Sequence, residues 1–119
     1  MKRALIVDDD ARVLSLTCRW LAAAGYQVMT ASNFPDARTE IALHSPELIV
    51  ADVRLGDHNG IQLGILAREA RPMTRVVIMS GHDDPVLRRD IERLEATYIR
   101  KPFRSKALLR AVVLGAASR

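Results

Sequence analysis

The sequence predicts a doubly wound α/β domain, and three observations carry that prediction. Five short apolar runs recur along the 119 residues, and the segments between them are of helix length. Several of the runs are nearly continuous in Val, Ile, Leu and Met, with no polar alternation. A strand without alternation is buried on both faces, as a parallel strand is when helices cover its sheet. The connections are too long for hairpins and suit crossover helices, so five repeats of strand then helix follow.

The runs are Ala4 to Val7, Gln27 to Ala31, Leu48 to Ala51, Arg75 to Met79 and Thr97 to Ile99. The first helix is expected from about Asp10 to Ala24. It places Val13, Leu14, Leu16, Thr17, Trp20 and Leu21 on one side and stops at Gly25, a favourable terminator. The second, from about Pro35 to His44, has proline in its first turn, where the missing N–H does no harm, and ends before Pro46. A third, Ile61 to Ala70, follows Asn59-Gly60 and stops before Pro72. The fourth, from about Pro85 to Leu94, begins after Asp83-Asp84, whose charges suit the positive end of a helix dipole. The fifth starts after Pro102, with Leu108, Leu109, Val112 and Val113 at helical spacing.

Open α/β sheets place their sites at the carboxyl ends of the strands. Here the first strand ends in Asp8-Asp9-Asp10, the third in Asp52, the fourth in Ser80 and the fifth in Arg100-Lys101-Pro102. With strands one and three adjacent, as in the flavodoxin-like order 2-1-3-4-5, Asp8, Asp9 and Asp52 converge. Two carboxylates about 4 Å apart repel by roughly 4 kcal/mol at an effective dielectric near 20, so positive charge must be present. Lys101 can supply one charge. A cluster of hard oxygens is also the kind of partial shell that Mg²⁺ takes up while keeping several waters.

A carboxylate can attack phosphorus and form an acyl phosphate, and Asp52, at the end of a buried strand, is the candidate nucleophile. The loop after it, Val53 to Asn59, is expected to leave room for a donor. Phosphoryl transfer needs positioning and neutralisation of the equatorial oxygens, tasks that Mg²⁺, Lys101 and the Ser80 hydroxyl can share. Taken singly, Asp10 reads as a helix cap, Ser80 as a turn residue and Lys101 as a solvated charge. Their arrival at four separate strand ends is what makes them a set.

These residues give the sequence its resemblance, over essentially the whole chain, to the receiver domain of two-component response regulators. Val7-Asp8-Asp9 matches the acidic pair after the first strand, and Leu48-Ile49-Val50-Ala51-Asp52 the segment of the phosphorylated aspartate. Val77-Ile78-Met79-Ser80-Gly81 matches the Ser/Thr strand, and Lys101-Pro102-Phe103 the Lys-Pro-Phe signature. The resemblance implies that Asp52 accepts phosphate from a histidine kinase or phosphotransfer protein. It implies that Asp9, Asp52 and the main-chain carbonyl of Arg54 bind Mg²⁺, with Asp8 acting through water. It further implies a cis peptide before Pro102, a bond type largely confined to proline, and a switch in which Ser80 moves toward the phosphoryl group while Tyr98 turns inward.

The readout would be a downstream protein target or a phosphorylation-dependent homodimer. Two features depart from the family's pattern. Leu94-Glu95-Ala96-Thr97 replaces the small Gly-Ala turn before the fifth strand, which implies a reshaped exit from the fourth helix. Arg54 and His82 stand two residues beyond Asp52 and Ser80, where receivers tune loss of the phosphate. His44 and His58 lack partners at metal-ligand spacing and read as surface residues.

Composition narrows the field. A chain of this length, 49% hydrophobic and 27% charged, suits one receiver domain over residues 1–119. No run of about 18 apolar residues is present, and Ala4 to Val7 runs straight into three aspartates, unlike a signal peptide; a soluble, cytoplasmic protein is expected. Cys18 stands alone, which excludes an intrachain disulfide. Residues 1–60 carry 6 basic and 8 acidic side chains, residues 61–119 carry 12 and 6. The cations are mostly arginines dispersed along helix faces, and five aromatic residues offer little for base stacking, so nucleic-acid binding by this domain is not expected. The rival from the binding-module class is a receiver-like domain that works without phosphate. An aspartyl-phosphate hydrolase would want a second acid where Arg54 stands, and a flavodoxin-type cofactor domain would want a phosphate-cradling glycine loop after the first strand.

Overall fold

The computed structural model describes residues 2–117, with side-chain surroundings through Val113. Strands β1 (Arg3–Val7), β2 (Gln27–Ala31), β3 (Leu48–Asp52), β4 (Arg75–Ser80) and β5 (Thr97–Arg100) form one sheet in the order β2-β1-β3-β4-β5. Every pair is parallel. Between and after them run α1 (Ala11–Ala23), α2 (Phe34–His44), α3 (Gly60–Ala70), α4 (Pro85–Arg93) and α5 (Ser105–Ala117). The flavodoxin-like fold and its strand order are those the sequence predicts.

Period-two alternation splits the central strands between two apolar layers. Leu5, Val7, Ile49, Ala51, Val76 and Ile78 face α2, α3 and α4, where Ala37, Ile41, Leu63, Ala67 and Ile91 meet them. Ala4, Ile6, Leu48, Val50, Val77 and Met79 face α1 and α5 through Leu21, Leu108, Ala111 and Val112. Both faces of β3 are covered, and all five of its residues are buried. That is why its sequence lacks polar alternation until Asp52.

The helices start where side-chain oxygens satisfy free N–H groups, each cap contributing about 1 kcal/mol. Asp10 accepts from the Arg12 N–H at 2.9 Å, Asn33 from Asp36 at 2.9 Å and Asp84 from Val86 at 2.9 Å. Asn59 accepts from Ile61 at 2.6 Å while its own N–H donates to the Gln62 side chain at 3.3 Å. Asp10 is thus a cap, as its place before the first helix suggests. Gly25 ends α1 at φ +99°, in the left-handed region.

Two segments differ from the expected outline. The stretch after Asp52 forms a small antiparallel hairpin, Arg54–Leu55 against His58–Asn59, turning at Gly56 with φ +64°. Leu55 is buried, and the His58 ring stacks on Phe34 with centroids 4.2 Å apart. The second difference is the exit of α4, which ends at Arg93 and turns through Glu95 at φ +57°. Arg68 of α3 fastens this turn. Its guanidinium donates to the carbonyls of Leu94 and Glu95, and its Nε to that of Thr74 at 3.1 Å. Among the described residues, no helix is long and apolar enough to cross a membrane.

Candidate functional site

Strand register brings the site together. Val7 pairs with Ala51, so Asp8 and Asp52 leave adjacent strands side by side; Ser80 pairs with Arg100, so Lys101 emerges next to Ser80. Asp8 is fully buried and Asp52 is 8% exposed, while Asp9 lies at the surface. Carboxylate oxygens of Asp8, Asp9 and Asp52 all lie within 4.8 Å of one another. Lys101 Nζ reaches Asp8 Oδ2 at 2.5 Å and Asp52 Oδ2 at 3.5 Å. The other oxygen of Asp8 accepts the Asp10 N–H at 2.9 Å, which fixes the orientation of its carboxylate.

Asp52 has its pKa raised, chiefly because burial penalises the charged form and further because Asp8 is close; Lys101 and the Arg54 backbone N–H oppose the rise. For Lys101, burial alone would lower the pKa, but its contacts with Asp8 and Asp52 outweigh it and the net direction is up. The site therefore holds an ammonium held charged by two acids, with carboxylates to spare. Three carboxylates against one ammonium leave a deficit of two positive charges, which matches a divalent cation with a preference for oxygen ligands. The donor set fits magnesium.

The site's floor depends on Gly60. A Cβ there would lie 2.1 Å from the Asp52 carbonyl oxygen and 3.2 Å from the Ala51 Cβ, so only glycine lets α3 begin directly against the end of β3. From sequence, Asn59-Gly60 reads as an ordinary helix start. The signal that would have revealed its role is the packing of its backbone on the end of β3, which spacing does not encode.

Ser80 and Tyr98 engage the backbone beyond the end of β4. The Ser80 hydroxyl donates to the His82 carbonyl at 2.7 Å and accepts the His82 N–H at 3.1 Å. The Tyr98 hydroxyl donates to the same carbonyl at 3.3 Å, and its half-buried ring lies under Arg88, 5.0 Å from guanidinium carbon to centroid. Two hydroxyls from neighbouring strands thus share one acceptor. The Lys101–Pro102 peptide is cis. The Arg54 side chain is exposed, and its backbone pairs with Asn59 across the hairpin. His44 pairs with Glu40 at 3.4 Å, on a helix away from the cluster.

A parallel α/β sheet with buried acids at its carboxyl edge and a lysine spanning two of them is consistent with a phosphoacceptor class of signalling domain. The chain belongs to the response regulator receiver domain family, whose model matches residues 4–113. Among its relatives is the alkaline phosphatase synthesis transcriptional regulatory protein PhoP of Bacillus subtilis, 32% identical over 127 residues, covering 98% of this chain and 52% of that protein. A CheY-like response regulator receiver domain protein from Methanospirillum hungatei superposes with a TM-score of 0.89 at 28% identity, over 99% of this chain and 95% of the other. The beryllofluoride-activated NtrC4 receiver domain dimer gives 0.87 at 26% identity, over 99% and 98%. The chain spans about half the length of the Bacillus relative.

Proposed function

We propose that this chain is a phosphoryl-accepting switch, charged on Asp52 by a histidine kinase or histidine phosphotransfer protein. The observation that carries it is the placement of Asp52 and Asp8 on adjacent strand ends, both reached by Lys101. An Asp52 carboxylate oxygen attacks the phosphorus of a phosphohistidine; the new O–P bond forms as the N–P bond breaks, and the imidazole nitrogen leaves with the bond's electron pair and takes up a proton. Lys101 meets one equatorial oxygen, and Ser80 turns from the His82 carbonyl to another. A magnesium ion held by Asp9, Asp52 and the Arg54 main-chain carbonyl, with Asp8 acting through water, would supply the remaining charge neutralisation. Attack of water on the same phosphorus returns Asp52 and inorganic phosphate, so the domain acts as a switch with self-catalysed turnover.

Tyr98 reads the state of Ser80. When the Ser80 hydroxyl leaves the His82 carbonyl, that acceptor is left to Tyr98, which draws the ring inward and alters the face of α4, β5 and α5. In this reading residues 1–119 act as a single receiver domain, and a cytoplasmic location goes with it. The test is the intact mass after incubation with acetyl phosphate and Mg²⁺. One phosphoryl adduct is expected on the wild type and none on Asp52→Asn. A folded wild type that gains no adduct, while an established receiver is charged in parallel, would replace this reading by that of a phosphate-independent interaction module.

A further inference from the structure

Tyr98 is held by its ring as well as by its hydroxyl. Arg88 of α4 lays its guanidinium over the Tyr98 ring, 5.0 Å from the guanidinium carbon to the centroid, and its Nη1 reaches Asp83 Oδ1 at 3.4 Å. One side chain thus joins three segments, the loop after β4, helix α4 and strand β5. Arg88 and Asp83 are each about half exposed, so as an ion pair they add little to stability. What the pair does is limit where the guanidinium can lie. The same loop carries the His82 carbonyl, to which the Ser80 and Tyr98 hydroxyls both donate. Tyr98 is therefore drawn two ways, its hydroxyl toward a loop carbonyl and its ring toward a surface cation, and the attraction of a cation for a ring face is lost when the ring moves away.

We propose that Arg88 is a positioning residue for the switch, a clasp that holds the Tyr98 ring in its half-buried place and so sets how often the uncharged protein has the ring turned inward. The inference rests on the reading in which Asp52 takes the phosphoryl group and Tyr98 turns inward. To turn, the ring has to leave the guanidinium, so the clasp biases the equilibrium against the charged form. Whatever frees the ring favours a phosphoryl group on Asp52 by the same factor, because linkage between two sites is reciprocal. A cation placed on α4 only for solubility would have no need of the ring. Arg89, the next residue, is equally exposed and makes no such contact among the described residues. A cation that served only the helix would act whether or not Tyr98 were present.

The test reads the ring and the site separately. The chain has two tyrosines, so in NMR spectra of ring-labelled protein Tyr26 serves as the reference for Tyr98. Arg88→Met removes the cation and keeps an unbranched stem. It is expected to move the Tyr98 ring signals of the uncharged protein toward their positions in the beryllofluoride-bound wild type, beryllofluoride being a mimic of the phosphoryl group. In the presence of Mg²⁺ the same variant should bind beryllofluoride about three- to fivefold tighter than the wild type, the factor that a lost cation–ring contact supplies. Arg89→Met takes the same charge from the same helix and should stay within about 1.5-fold of the wild type. In a Tyr98→Leu background, Arg88→Met should change the affinity by less than about 1.5-fold, since no ring is left to hold. Both arginines are exposed, and circular dichroism verifies that each variant is folded. Unmoved Tyr98 signals in Arg88→Met overturn the proposal, and so does equal tightening in Arg89→Met or in the Tyr98→Leu background. A wild type that binds no beryllofluoride removes the phosphoacceptor reading. The clasp is then judged by the Tyr98 signals of the free protein, which stand for it if they move in Arg88→Met alone and against it if they move in neither variant or in both.

Discussion

The acidic end of the sheet and the basic face of β5 and α5 handle charge in opposite ways. At the acidic end Asp8 and Asp52 are buried, so each of these charges must have a partner within a few ångströms. Asp8 has one oxygen on a backbone N–H and the other on Lys101, and Lys101 also reaches Asp52. On the basic face Arg100, Arg104, Lys106 and Arg110 stand in solvent, where each is screened within about 10 Å and contributes as part of a field. Buried charge depends on position to a fraction of an ångström, whereas exposed charge depends on sum and sign. A substitution at the first end should therefore be felt singly, and one on the second face only in combination.

The largest expected effect is on chemistry. Lys101→Met should slow charging by acetyl phosphate about a hundredfold, the usual consequence of removing one preorganised group from a developing phosphoryl charge, as read by the time course of intact mass. A loss under about threefold would break the contrast. Next is Gly60→Ala, where the added methyl meets the Asp52 carbonyl oxygen at 2.1 Å. It should lower stability by about 2 kcal/mol in urea unfolding and slow charging as well, since Asp52 must move.

Asp52→Asn should act on stability in the other direction. The raised pKa of Asp52 means that its contribution to stability is fully present below the ordinary carboxylate value of 3.8 and is lost as pH rises through the folded value. The variant should thus melt a few degrees above the wild type at pH 7, with the gap closing as pH falls through the raised folded value towards 3.8. Magnesium should raise the melting temperature of the wild type and narrow the gap.

A smaller effect sharpens the other side. Arg104→Ala alone should change stability by less than about 0.5 kcal/mol, measured by the same urea titration. An effect as large as that of Gly60→Ala would show that the basic face is position-bound after all.

The legible part of the molecule is the part with short-range rules. Unbroken apolar runs at Leu48 to Ala51 and Arg75 to Met79 announce strands covered on both faces, and Asp10, Pro35, Asn59-Gly60 and Asp83-Asp84 announce helix starts, whereas the cap at Asn33 was not read. Asp8, Asp9, Asp52 and Lys101 were legible as a set because each directly follows a strand, and strand order brings those ends together. The hairpin after Asp52 was not legible. Its two-residue arms are too short for alternation to register, and it is held by Leu55 burial and by the stacking of His58 on Phe34, a residue 24 positions away in the chain.

The exit of α4 shows the same division. Leu94-Glu95-Ala96 reads as a departure from a small-residue turn, but what permits a glutamate at positive φ there is Arg68 on another helix, which donates to two carbonyls of the turn. By itself the sequence determined the element order, the two-sided burial of β3 and the identity of the acids and the lysine, because periodicity and strand-end position act locally. Tertiary structure alone decided that Gly60 must lack a side chain, that Ser80 and Tyr98 share the His82 carbonyl, and that four scattered cations line one hollow. Those facts are distances between segments far apart in the chain, and packing sets them.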